Sequence, residues 1–224
     1  SAAYVARVAS AFINNGAGVR GDLRAMFRAI LLDEEARSAA SLSQPLFGKL
    51  REPMLRLVQW GRTFGLSSAA GSWKIGDLSN PATQLGQSPL RSPSVFNFFR
   101  PGYVPPSSAL ASAQSVAPEF QLVSESSVGG YLNYMQNTIQ KGISSDLKAA
   151  YASELALVTD AAALVGRLNL LLCAGQLSSA TQTLIIDALN ATPVTTTSTD
   201  TVKLNRVAAA VLLVMASAEY LAQK

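Results

Sequence analysis

Residues 85–106 are the part of the sequence that most constrains the fold. This stretch, LGQSPLRSPSVFNFFRPGYVPP, contains five of the ten prolines and four aromatic residues, Phe96, Phe98, Phe99 and Tyr103. Each proline lacks a backbone N–H and pushes the preceding residue toward extended conformations. Because helical patterns lie on both sides, the stretch is predicted to be either a functional loop or a buried irregular segment between helices.

The irregular composition extends over residues 65–118, a segment that we call the strap. Gly, Ser, Pro and Asn dominate it, yet it also contains Trp73, three phenylalanines and Tyr103. Disordered segments are poor in aromatic residues. We therefore predict that the strap is ordered and that its aromatic side chains pack into the helical body.

The rest of the chain has the apolar periodicity of helices. Asp22 and Ser178 are the expected N-caps of two of them, and a third is expected to start at Ser124 or Glu125. Ser144 or Ser145 is expected to cap a long helix that ends near Gly175. No stretch alternates as a strand does, so the prediction is an all-α fold: one helical domain over residues 1–224 with about seven helices and the strap.

Histidine is absent, which excludes a Ser-His-Asp triad, a Cys-His dyad and an imidazole-ligated zinc site. The single cysteine, Cys173, lies in the apolar run LNLLLCAG and is predicted to be a buried, unreactive thiol. The fourteen acidic residues are scattered and form no calcium-binding loop pattern. The sequence therefore predicts no metal and no cofactor, and it favours a non-enzymatic chain.

The net charge of +4 is uneven, since residues 1–100 carry twelve basic and six acidic residues. Arg20, Arg24 and Arg28 recur at helical spacing among acidic residues, which favours a solvated helix face over a nucleic-acid contact. The apolar run at residues 207–218 is shorter than the roughly 20 residues that span a bilayer. It is predicted to be a buried core helix, so neither nucleic acid nor a membrane span is expected.

Four segments carry a resemblance to a known family. They are YVARVASAFINNGAGVRGDLRAMFRAILLDEEAR, GKLREPMLRLVQWGRTFG, the 85–106 stretch and APEFQLVSESSVGGYLNYMQ. Together they resemble the C-terminal half of the bacterial family called domain of unknown function 1800. The resemblance implies a C-terminal fragment of a longer protein, an N-terminal half or a separate protein as partner, and a periplasmic or extracellular location. It implies no activity, because none is established for the family.

Six residues are candidates for a site. Arg51 and Glu52 could supply a cation and a carboxylate to a ligand. Alternatively they start a helix in which Glu52 interacts with its own first-turn amides and Arg51 pairs locally, and this second interpretation is favoured. Arg91 and Arg100 could bind an anionic group in bidentate fashion. Alternatively they hold the strap in place by donating hydrogen bonds to loop carbonyls. Tyr103 is the strap ring expected to be partly exposed. Glu119 and Glu52 are the catalytic candidates. Acid–base catalysis of glycoside hydrolysis needs two carboxylates close together, and the sequence does not show which ones meet.

The favoured function is a non-catalytic helical scaffold or interaction portion of a larger exported protein. One alternative is a hydrolase-like enzyme that acts on an envelope polymer at the strap. Its site would be built from Arg51, Arg91, Arg100 and Glu119, which are required to converge on a cleft. The other is a carbohydrate-binding module, which requires exposed coplanar rings among Trp73, Phe98 and Tyr103 to hold a saccharide.

Overall fold

The helices begin where short polar side chains are able to cap them. Asp22 Oδ1 accepts a hydrogen bond from the Ala25 N–H (3.1 Å), and Ser124 and Ser178 cap their helices in the same way. The predicted N-caps Asp22 and Ser178 are therefore confirmed, and of the two alternatives Ser124 and Glu125 it is Ser124 that caps its helix. The computed structural model describes all 224 residues.

The chain contains eleven α-helices and four two-residue strands, and seven of the helices have ten or more residues. The α-helices are α1 Ala2–Ile13, α2 Leu23–Leu32, α3 Glu34–Arg37, α4 Pro53–Thr63, α5 Ala109–Ser112, α6 Glu125–Lys141, α7 Ala152–Leu155, α8 Ala161–Cys173, α9 Ser179–Asn190, α10 Asp200–Ala216 and α11 Ala218–Leu221. The strands are β1 Lys49–Leu50, β2 Ser67–Ser68, β3 Leu147–Lys148 and β4 Ala222–Gln223, and two 3-10 helices cover Ala39–Ser43 and Pro118–Leu122. The predicted all-α fold is confirmed. No helix combines the length and apolar character needed to cross a membrane.

Two compact units divide the chain. Unit 1 consists of Ser1–Gly48 with Lys224, and unit 2 consists of Lys49–Gln223. In unit 1, α1 packs against α2 and the Tyr4 hydroxyl donates to Ile30 O (2.5 Å). The assignment of the whole chain to one domain stays a prediction.

Unit 2 is built around α10, which packs against α6, α8 and α9. The largest fully buried side chains include Trp60, Met135, Leu164, Leu168, Met215 and Tyr220. The predicted core run at 207–218 supplies Val207, Val211 and Val214, all fully buried. Cys173 is also buried, as predicted, and burial raises the pKa of its thiol to about 11.

The strap has little regular structure, as predicted. Between α4 and α6 it contains only β2, the one-turn helix α5 and the start of the second 3-10 helix. The prediction that its aromatic side chains pack into the helical body is wrong for Trp73, which is 56% exposed, and for Phe96, which is 66% exposed. Phe98, Phe99 and Tyr103 are half-buried. The buried apolar residues of the strap are Leu78 and Leu85 instead. Proline-rich residues 89–97 are exposed throughout, which leaves Phe96 in solvent.

The predicted long helix from Ser144 or Ser145 to Gly175 is also wrong, because α7 and α8 are separate helices. Residues before α7 form β3, which pairs antiparallel with β2 of the strap. Hydrogen bonds to the Asp146 side chain account for the absence of the predicted continuous helix. The Asp146 carboxylate accepts hydrogen bonds from Ser68 Oγ (2.6 Å), the Ala70 N–H (2.6 Å) and Ser72 Oγ (2.8 Å). Long-range bonds to the strap thus replace local helix formation here.

Asp146→Asn is expected to make stability less dependent on pH. The hydrogen bond from Ser68, followed by those from Ala70 and Ser72, holds the pKa of Asp146 below its usual value of 3.8. A lowered pKa in the folded state stabilises the protein above the unfolded pKa, and this stabilisation is lost as pH falls through the folded value. Melting curves should therefore separate the wild type from Asp146→Asn above about pH 5, and the separation should shrink as the pH falls below about 4 and through the folded-state pKa. A separation that does not change with pH would contradict this role.

Candidate functional site

Arg51 is held by the C-terminal part of unit 2. Its backbone N–H donates to Leu221 O (2.7 Å) and its Nε donates to Tyr220 O (3.2 Å). The guanidinium lies 4.6 Å from the centroid of the Tyr220 ring and also bonds to Gln59 Oε1. Arg51 thereby fastens the start of α4 to α11.

Glu52 occupies the N-cap position of α4, but its side chain does not cap the helix. Its carboxylate accepts a hydrogen bond from Gln87 Nε2 of the strap. Gln87 Oε1 in turn accepts from the Met54 N–H (3.1 Å), so Gln87 supplies the missing cap. The prediction that Glu52 bonds its own first-turn amides is therefore wrong, and Glu52 instead positions the strap against α4.

The two strap arginines lie in exposed surroundings. Arg91 pairs with Asp77, with 3.1 Å between NH1 and Oδ2. Arg100 donates its backbone N–H to Gln121 Oε1 (2.8 Å), and its side chain takes part in no ion pair.

Tyr103 and Glu119 are both half-buried, and the Tyr103 N–H donates to Arg100 O (3.0 Å). No hydrogen bond joins the side chains of any two of the six candidates. The six are Arg51, Glu52, Arg91, Arg100, Tyr103 and Glu119, and none of them lines the three surface cavities of about 470, 260 and 360 Å³. Their ligand-binding and catalytic roles stay predictions. No group of three or more acidic or cysteine side chains is arranged to hold a metal ion.

Arg56, on α4, is a residue that sequence reasoning missed. It is only 6% exposed, and its Nε donates to Arg51 O (2.7 Å). Its guanidinium lies 4.5 Å from the centroid of the Tyr131 ring on α6. Desolvation by burial lowers the pKa of Arg56, and burial raises the pKa of Tyr131 to about 12. Arg56 falls on the same helical face as Leu57 and Trp60, so the 3.6 periodicity contained a signal for its burial.

A cavity of about 260 Å³ opens beside Arg56. Its wall comes from the start of α4, the strap, the second 3-10 helix, α6 and α11. Apart from Arg56 it is mostly apolar, with Pro53, Leu85, Phe120, Tyr131 and Leu221 among the contributing residues.

A second candidate is the outer surface of unit 1, where no residue of α1 or α2 is buried. Leu23, Phe27 and Leu31 recur every fourth residue on α2 and are 57%, 56% and 67% exposed. Arg24 and Arg28 follow Leu23 and Phe27 along the helix, are exposed, and form no ion pair. We call these five residues the α2 face.

Comparison with known proteins identifies the family but no closer relative. No curated protein and no solved structure shows a significant match to the chain. One family model, described as a protein of unknown function (DUF1800), matches residues 1–222. This match covers nearly the whole chain, and the chain therefore belongs to the DUF1800 family.

Proposed function

We propose that the chain is a non-catalytic helical interaction module whose α2 face binds an amphipathic helix of a protein partner. The observation that carries the proposal is that unit 1 buries no apolar side chain of α1 or α2. A unit of about fifty residues ordinarily needs a buried core to be stable. A partner that covers the α2 face would supply that burial.

The geometry of the α2 face favours a helix as the partner. Residues spaced by four lie on one side of a helix, so Leu23, Phe27 and Leu31 form one apolar stripe. The stripe is about 12 Å long at 1.5 Å per residue. Helices bind such stripes with apolar residues at the same spacing. The partner helix comes either from the N-terminal half that the family resemblance implies or from a separate protein.

The charges beside the stripe favour a partner with carboxylates along one edge. Arg24 and Arg28 lie next to the apolar stripe and form no ion pair, and complementary charges steer association and fix register. An anionic membrane is a weaker fit. Residues 1–48 contain five arginines and four acidic residues, which leaves little net attraction to a negative surface.

Phe27→Glu is expected to weaken binding of an acidic amphipathic peptide about tenfold or more, because central aromatic residues dominate interface energies. The probe is a labelled 21-residue helical peptide with leucines at heptad positions and glutamates along one flank, and binding is followed by fluorescence anisotropy. Arg24→Glu with Arg28→Glu should reverse the preference toward the same peptide carrying lysines in place of glutamates. Val58→Glu, which alters an exposed apolar residue of α4, serves as the matched control.

Three results would contradict the proposal. The first is equal affinity for the glutamate and lysine peptides. The second is binding to anionic lipid vesicles with no binding to either peptide. The third is a dimer in sedimentation velocity that Phe27→Glu dissociates, since that result would assign the α2 face to a second copy of the chain.

A further inference from the structure

The cavity beside Arg56 contains a buried charge without a counter-ion. The five ion pairs of the chain involve Ser1, Arg7, Arg91 and Arg167, and none involves Arg56. Its side chain donates one hydrogen bond, from Nε to a backbone carbonyl, and stacks over the Tyr131 ring. The terminal guanidinium nitrogens carry four of its five N–H donors and bond to no carboxylate and no backbone carbonyl.

Burial of the Arg56 guanidinium is unfavourable in free energy unless an anion pairs with it. A buried charge is ordinarily paired, because its removal from water is unfavourable. The ring of Tyr131 compensates only in part, since a cation–π contact is weaker than the hydration that a buried ion loses. Nearby, the Tyr220 hydroxyl is fully buried and has no hydrogen-bond partner. The wall of the cavity thus contains a buried cation and no carboxylate to pair with it.

We propose that this cavity binds a small amphipathic monocarboxylate, with the carboxylate on the Arg56 guanidinium and the hydrocarbon part against the apolar wall. A carboxylate accepts two parallel hydrogen bonds from one guanidinium. It also brings one negative charge, which matches the single buried cation. A phosphate monoester would carry roughly −1.5 to −2 and leave an uncompensated charge among apolar groups.

The wall determines the rest of the ligand. Leu85, Phe120 and Leu221 offer hydrocarbon surface and no hydrogen-bonding side chain. Ser127 also lines the cavity, but its hydroxyl is already used at the start of α6, where it donates to Ser124 O (3.0 Å). The volume of about 260 Å³ lies near the lower end for small-molecule sites, so the hydrocarbon part is short. This site is separate from the α2 face, and it does not depend on the proposed function.

The test compares octanoate with octanol by isothermal titration calorimetry on the full chain. Octanoate is expected to bind with one-to-one stoichiometry and octanol at least about tenfold more weakly, because only the carboxylate pairs with Arg56. Arg56→Met should weaken octanoate about 10- to 100-fold and leave octanol unchanged. Arg62→Met is the control, since Arg62 is an exposed arginine on the same helix that does not line this cavity.

A second variant keeps the test decisive if Arg56→Met does not fold. Val128 lines the cavity and is 48% exposed, so Val128→Trp should fill the entrance without disturbing the core. It is expected to abolish binding of octanoate and octanol alike. Octanoate that binds no better than octanol, or that binds Val128→Trp as tightly as the wild type, would overturn the proposal.

Discussion

Gly130→Ala is expected to lower the free energy of unfolding by about 3 kcal/mol, the upper part of the range for overpacked sites. A Cβ at Gly130 would overlap the carbonyl oxygen of Pro81 and lie 2.9 Å from the carbonyl carbon of Ala82. Both obstacles are backbone atoms of the strap, which are unable to move aside as a flexible side chain would. The substitution therefore forces the strap away from α6.

Gly129 provides a matched control because it lies next to Gly130 on the same helix. A Cβ at Gly129 would meet nothing within 4 Å. Alanine is the better helix former by about 0.8–1.0 kcal/mol, so Gly129→Ala should stabilise the chain. Urea denaturation followed by far-UV circular dichroism measures both variants. Equal effects of the two substitutions would show that α6 and the strap are not in close contact at this point.

The contact at Gly130 also shows how the strap is ordered. The strap turns at residues 80–84, where Asn80 Oδ1 accepts from the Ala82 N–H (2.9 Å) and Asn80 O accepts from the Gln84 N–H (2.9 Å). This turn rests on α6 at Gly130. Leu78 and Leu85, which flank the turn, are buried, and Leu85 N–H donates to Leu78 O (3.2 Å). A small loop, rather than the aromatic stretch, anchors the strap.

The features that could be predicted from the sequence depend on local interactions. Asp22, Ser124 and Ser178 cap helices because each side chain reaches an N–H three residues ahead. The irregular character of the strap was equally predictable, since proline acts on its own residue and on the one before it.

The features that could not be predicted depend on distant partners. Asp146 accepts hydrogen bonds from residues more than 70 positions earlier in the chain, so no local pattern distinguishes it from a helical residue. The cap that α4 receives from Gln87 is 33 residues away. Phe96 is exposed because proline-rich neighbours hold its segment in solvent, although ring size alone favours burial.

The burial of Arg56 also depends on a distant partner, and local sequence does not reveal it. Arginine is mostly exposed in proteins, so the residue type alone gives no hint that Arg56 is buried. Helical periodicity places it on the inner face of α4, but its partner ring, Tyr131, is on a helix that begins far along the chain. The α2 face was visible as a helical pattern, yet only the packing of α1 showed which side of α2 is left uncovered.

Trp60→Ala is the second substitution with a large expected effect, a loss of about 3–5 kcal/mol in the free energy of unfolding. Trp60 is fully buried on α4, and its indole N–H donates to the Tyr151 hydroxyl (2.9 Å). That hydroxyl donates to Ile139 O on α6 (3.2 Å), and the Tyr151 ring lies 5.0 Å from the ring of Phe64. Removing the indole therefore leaves a cavity and also removes one link of a buried hydrogen-bond chain.

Trp60→Phe separates these two contributions. It keeps most of the ring and removes the N–H, so a smaller loss of about 1–2 kcal/mol is expected. Tyr151→Phe should cost about as much, because it leaves the indole N–H without an acceptor. The double substitution should cost less than the two single losses combined, since neither group is then left without a partner.

Trp73 serves as the control because it is the chain's other tryptophan and is 56% exposed. Trp73→Ala should change the free energy of unfolding by less than about 1 kcal/mol, since exposed substitutions have small effects. Far-UV circular dichroism during urea denaturation compares all the variants without relying on tryptophan emission. If Trp73→Ala destabilised the chain as much as Trp60→Ala, the strap tryptophan would contribute to the core, and the conclusion that leucines anchor the strap would be wrong.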